Sequence, residues 1–153
     1  MLLEFLKLGV AECLTIAAIQ WIAYIANWNI YTTIFPDIDV VESLAEVLQT
    51  GDSTLVEPCL SALASIAEDG KSARDSLIAN NVLSYISSFI SNCRDFPAST
   101  HFEILRVLYG CSRYLGEYDS NEIEDIIKDV SRLIENCDIS NYRFLNGCIM
   151  VIT

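Results

Sequence analysis

Basic residues are scarce in this sequence: nine Lys and Arg stand against 21 Asp and Glu, and histidine occurs once, as His101. A formal net charge of −12 repels phosphate backbones, so direct nucleic-acid binding is not expected. Glycine (six) and proline (three) are few and scattered, which excludes collagen-like and low-complexity chains. Hydrophobic residues at 52% exclude a disordered chain, and 153 residues suffice to bury a sizeable core. The six cysteines, at 13, 59, 93, 111, 137 and 148, never reach CxxC spacing, and one histidine leaves a zinc site almost without ligands. They read as reduced thiols in helical context, with no cofactor implied. No Gly-rich phosphate loop occurs, and nothing near His101 supplies a base–nucleophile pair, so an enzyme is not expected.

Charge is also missing locally. Between Glu12 and Asp37 no residue is ionisable as an acid or base of the Asp, Glu, Lys, Arg or His type, and Cys13–Phe35 is long enough to cross a bilayer. Thr15, Gln20, Asn27, Asn29, Thr32 and Thr33 interrupt it, no basic flank sets an orientation, and no small-residue cleavage site follows. A buried helix of a soluble protein is the expectation, with Trp21 in its core. The acids lie unevenly: residues 1–70 hold ten against the single base Lys7, and residues 71–153 hold eleven against eight. Such a body favours a basic protein segment as partner, or merely keeps a helical protein in solution.

What is present is helical periodicity. In Asp52–Leu83 the residues Leu55, Leu60, Leu63, Ile66 and Ala67 recur at about 3.6 residues per turn. Glu68-Asp69-Gly70 ends that helix, with Gly70 where a left-handed C-cap falls. A short helix over Ser72–Ala79, the pair Asn80-Asn81 and a new helix over Val82–Ser91 follow. The same pattern predicts Leu2–Leu8, Glu12–Ala26, Ile30–Phe35 and Asp39–Gln49 as helices, then Asn92–Thr100 as a loop and His101–Leu115 as a long helix. Glu117–Ser120 is turn-like. Asn121–Asn136 is amphipathic, with Ile123, Ile126, Ile127, Val130, Leu133 and Ile134 inward, and Ser140 opens a last helix.

These elements repeat. Ile25-Ala26, Ile66-Ala67, Cys111-Ser112 and Val151-Ile152 correspond, at spacings of 41, 45 and 40. A period near 40–45 with two or three helices per unit is the armadillo/HEAT signature. The expected fold is all-α: one right-handed superhelical solenoid over 1–153, of about three and a half repeats, with units near 1–26 (partial), 27–67, 68–115 and 116–153 (partial).

In residues 52–82 the likeness becomes specific. ALASIAEDG, then ARDSLI, then Asn81-Val82 resembles the armadillo repeat of importin alpha (karyopherin alpha), whose third helix reads roughly WALxNIAxDG before a short CRDxVI helix. The resemblance implies a protein-binding adaptor of nuclear import, in cytoplasm and nucleus, that holds an extended peptide on a concave face made of third helices. In that family each third helix offers a Trp and, one turn on, an Asn that together read a basic signal. Here those positions are Gln20/Tyr24, Ser61/Ser65, Arg106/Gly110 and Asn146/Met150, so the ladder is replaced at every step. The family's basic N-terminal arm does not precede Met1 in this sequence, which argues against importin beta as a partner. The alternative is a non-transport armadillo scaffold for protein–protein interaction.

Overall fold

A computed structural model describes residues 2–6, 12–28, 40–91, 96–113 and 120–136. Among them every regular element is helical. A 3-10 turn over Leu2–Leu6 precedes α1 (Glu12–Asn27), α2 (Val40–Gln49), α3 (Ser53–Glu68), α4 (Lys71–Ala79), α5 (Val82–Ile90), α6 (Ala98–Ser112) and α7 (Ser120–Asn136). The expected helices over 30–35 and from 140 onward lie outside the described residues.

The helices form two layers. α1 packs on α3 and α3 on α6, giving an inner row of long helices. α2 touches α5 and α5 touches α7, giving an outer row, and the short α4 bridges from α3 to α5 and α6. Short, long-range-connected units of this kind bury one another's apolar faces and none is stable by itself. The burial pattern repeats along the inner row: Ile19, Leu60 and Leu105 are buried, as are Ile22, Leu63 and Leu108. α2 and α5 are also joined by Gln49 and Tyr85, whose side chains hydrogen-bond. α5 and α7 are joined by the Ser87 hydroxyl, which donates to the buried Asp129 carboxylate.

Local chemistry sets the boundaries. Asp52 caps α3, its carboxylate accepting from the Thr54 N–H at 3.0 Å and the Thr54 hydroxyl at 2.7 Å. At the other end the Asp69 N–H donates to the Ile66 carbonyl, so Asp69, not Gly70, closes the helix. Gly70 instead opens α4 at φ +143°, ψ −174°, a region open essentially to glycine alone. Asn81, at φ 56°, turns the chain between α4 and α5. α6 begins at Ala98, inside the expected loop, because Pro97 sits at its N-cap, where proline's lost N–H has no helical partner to lose.

Three inward assignments are corrected. Trp21 is 59% exposed rather than in the core, and Leu14 and Tyr24 are exposed too, so α1 is not buried all round. Ile127 is 44% exposed, while Ile126, Val130 and Leu133 carry the buried stripe of α7. Periodicity reports which residues share a face; it does not report how much of that face a neighbour covers. Among the described residues no helix is long and apolar enough to cross a membrane.

Candidate functional site

The inner row leaves a groove of about 580 Å³ between α1 and α3, reached by α6 at one end. Gln20, Tyr24 and Asn27 form the α1 wall, Glu57, Pro58 and Ser61 the α3 wall, and Glu103 comes from α6. Pro58 is the sixth residue of α3, deeper than the first turn where proline is best tolerated. Lacking an N–H, it leaves the Thr54 carbonyl without its usual i+4 donor, and Thr54 lines the same groove.

Three carboxylates and one guanidinium set the electrostatics. Glu57 accepts from the Ser99 hydroxyl at 2.9 Å and the Thr100 hydroxyl at 3.2 Å, which orients it across the α3–α6 seam. Arg106 forks onto Glu68, with Nε and Nη2 each within 3.2 Å of its oxygens, and its Nη1 donates to Glu103 at 2.9 Å. Burial pushes the Glu103 carboxyl above the ordinary glutamate range, an effect that the adjacent Arg106 opposes without cancelling. For Arg106 burial acts to lower the value, but the bonds and charges of Glu68 and Glu103 outweigh it and hold the guanidinium higher still. Arg106 thus pairs with Glu68 and Glu103, while Glu57 has no cationic partner among these contacts, and Glu57 and Glu103 line the groove.

The eight ridge positions inferred from sequence divide. Gln20, Tyr24 and Ser61 come together as groove lining. Ser65 is buried, its hydroxyl 3.0 Å from the Ser61 carbonyl and 3.2 Å from Asn27 Oδ1. Arg106 is engaged by Glu68 and Glu103. Gly110 is buried against α3, and a Cβ built on it would stand 2.5 Å from Ala67 Cβ. Asn146 and Met150 lie outside the described residues. Sequence reasoning missed Glu57, Glu103 and Asn27; the first two sit one turn before ridge positions Ser61 and Arg106, a spacing that puts them on the same face.

Other chemistry-bearing groups stand apart. His101 is buried in the first turns of α6. Cys59 is buried, and burial alone pushes its thiol up to about 12, while Cys13 is exposed. Among the described residues no group of three or more His, Cys, Asp and Glu could hold a metal ion.

No family model matches the sequence, and none of the curated proteins compared with it matches. Solved structures do match. A designed armadillo repeat protein in complex with the peptide (KR)4 superimposes with a TM-score of 0.78 at 15% identity, over 99% of this chain and 61% of its own. An engineered protein matches with a TM-score of 0.78 at 17% identity, over 99% of this chain and 59% of its own. A second designed armadillo repeat protein gives 0.66 at 12% identity, over 99% of this chain and 79% of its own. The chain thus spans about three fifths of the first two. With its inner row of stacked long helices and its second, outer row of helices, the chain has the all-α fold of an armadillo-type repeat solenoid.

Proposed function

We propose that this solenoid is a non-catalytic scaffold whose α1–α3 groove holds an extended, cationic segment of a protein partner. The carrying observation is the groove wall itself: Glu57 and Glu103 face a cleft whose opposite wall is the Tyr24 ring, Gln20 and Asn27. Carboxylates attract a Lys or Arg head, an aromatic face takes its stem, and amides serve the partner's backbone. The net charge of −12 adds long-range attraction for such a segment. A structural neighbour with a Lys-Arg peptide bound supports this chemistry on the same fold.

Fluorescence anisotropy with a labelled alternating Lys-Arg peptide tests it. Binding is expected at low ionic strength, weakening steeply between about 0.05 and 0.5 M salt as screening shortens the reach of the carboxylates. Glu57→Lys is expected to weaken it about tenfold or more, equivalent to about 1.4 kcal/mol. Flat isotherms at low salt refute the proposal.

A second, narrower reading is an importin-alpha-like adaptor acting in cytoplasm and nucleus. Residues 52–82 favour it through their match to the family's repeat. Against it stand Ser65 and Gly110, whose burial keeps any amide or ring from those two ridge positions. Binding of a nuclear localisation signal in preference to a scrambled peptide of equal charge would support the import role; equal binding of both leaves the scaffold reading alone.

A further inference from the structure

Three aromatic rings run exposed along α1 and the turn residue that follows it. Trp21 is 59%, Tyr24 54% and Trp28 63% exposed, and they contact one another edge-on, at 5.8 Å between Trp21 and Tyr24 and 6.0 Å between Tyr24 and Trp28. With Leu14 and Ala17, also exposed, they complete a run at alternating steps of three and four residues, the spacing of a coiled-coil seam. Matched by burial, Trp21 corresponds to Ala62 and Val107, and Tyr24 to Ser65 and Gly110. In α3 and α6 those positions are buried, and Ser65 and Gly110 are seated on the preceding long helix. α1 thus presents, bare and enlarged, the face through which its equivalents pack on another helix.

We propose that α1 is a self-association surface on which a second copy of this chain lays its own α1 antiparallel. The register follows from size. In an antiparallel pair the two seam classes face each other, which sets Ala17 opposite the partner copy's Trp28 and Trp21 opposite its Tyr24. Beside Ala17 lies a hollow of about 310 Å³, lined by Ala17, Gln20, Trp21 and Tyr24, that receives the incoming indole. α1 therefore supplies the hole and the turn residue that closes it supplies the knob.

Charge selects the occupant. The chain carries −12, so most faces of two copies repel, but α1 holds only one charged residue, Glu12, beyond the last pair of this register. Lys and Arg are absent from α1, and so is any acid that would hold a cationic partner against the stripe. Three rings at this exposure offer on the order of 350 Å² per copy. With Leu14, Ala17 and flanking polar groups the pair buries about 1,000 Å² in total, at the low end for specific interfaces, so the dimer is weak.

Sedimentation velocity of the full chain from about 1 to about 300 µM is expected to show a monomer–dimer equilibrium in that range. Added salt strengthens it by screening the repulsion of two acidic bodies, the opposite of its effect on a cationic peptide in the groove. Trp21→Glu is expected to leave helicity unchanged and to shift the midpoint at least tenfold upward. In a Cys13→Ser background, Ala17→Cys combined with Trp28→Cys is expected to give a disulfide-linked dimer on mild oxidation, whereas Ala17→Cys alone is not. A wild-type chain that stays monomeric throughout overturns the proposal. So does a dimer indifferent to Trp21→Glu, or one that fails to cross-link in this register.

Discussion

Replacing Gly110 by alanine tests how closely α3 and α6 are packed. A Cβ at position 110 would lie 2.5 Å from Ala67 Cβ, 3.2 Å from its carbonyl carbon and 3.4 Å from its Cα. Apolar carbons rest at about 3.5–4.0 Å, so the two helices must separate by about 1 Å at this point. Ala67 has no rotamer through which to yield, and the displacement passes into the buried Leu63 and Leu108 nearby. Overpacking of this kind costs about 1–3 kcal/mol, here toward the upper end because backbone-fixed atoms collide. Alanine in place of glycine inside a helix returns about 1 kcal/mol. The net destabilisation is about 2 kcal/mol, which for a domain of this size lowers Tm by about 4–8 °C. Helix propensity by itself predicts the opposite sign, so a thermal melt separates the two effects. A Tm equal to or above wild type refutes the close crossing. Ala67→Gly in the same chain restores the space: because the helix-propensity terms are additive and cancel, the double variant is expected to be about 3 kcal/mol more stable than the sum of the single effects. Additive single effects would equally defeat the reasoning.

The other expectations concern titrating groups. The hydrogen bonds from the Thr54 side chain and backbone hold the Asp52 carboxyl below its usual range. Its stabilisation is therefore present above the ordinary aspartate pKa and lost as pH falls through the lowered one. Asp52→Asn should keep the cap yet flatten that acid-side fall in Tm, and Asp52→Ala should lower Tm at neutral pH. Glu103 has the opposite sign: burial raises its value, so stability declines as pH rises from the ordinary glutamate range through the raised one. Glu103→Gln should remove that decline and raise Tm at pH 7; a lower Tm there would show that the Arg106 pair outweighs the burial. With its thiol pushed up to about 12, Cys59 is almost wholly protonated at pH 8, so brief iodoacetamide treatment and peptide mapping should find Cys13 alkylated and Cys59 spared until denaturant is added.

Much of α3 was open to reading because its signals are local. Asp52 supplies a cap, Leu60, Leu63 and Ile66 share one face, and the Asp69-Gly70 pair marks an end. Even there, Gly70 was legible as a glycine-only position but not as the start of α4, since both roles require the same freedom of φ. The groove was partly legible. Gln20, Tyr24 and Ser61 could be placed on one face through the resemblance to the importin alpha repeat, whereas the burial of Ser65 and Gly110 depends on how near the next helix comes. That distance is a property of two helices, and no single stretch encodes it. Glu57 and Glu103 escaped notice for a related reason: their meeting at the groove needs the α3–α6 contact that Ser99 and Thr100 make.

Side-chain size at one set of equivalent positions links the two surfaces of this protein. Where the seam residue is Ala62, Ser65 or Gly110, the long helices approach closely and the position is sealed from any ligand. Ser65 and Gly110 then offer no ring or amide to a ligand, while Glu57 and Glu103, two turns earlier on the same helices, reach the cleft. Where the seam residue is Trp21 or Tyr24, a helix cannot stack at the Gly110–Ala67 distance, and the face stays open to an occupant that meets ring with ring. Exchanging the sizes separates these effects. Trp21→Ala together with Tyr24→Ser makes α1 resemble α3 at the seam; self-association should disappear. Peptide binding should weaken only as far as the Tyr24 ring contributes to the groove. Comparison with Tyr24→Ser alone isolates that share, because Trp21 lies outside the α1–α3 groove. If both variants bind the Lys-Arg peptide equally while differing in oligomeric state, the groove and the stripe are separate devices on one helix. If the double variant loses peptide binding further, Trp21 belongs to the groove and the division drawn between the two surfaces is wrong.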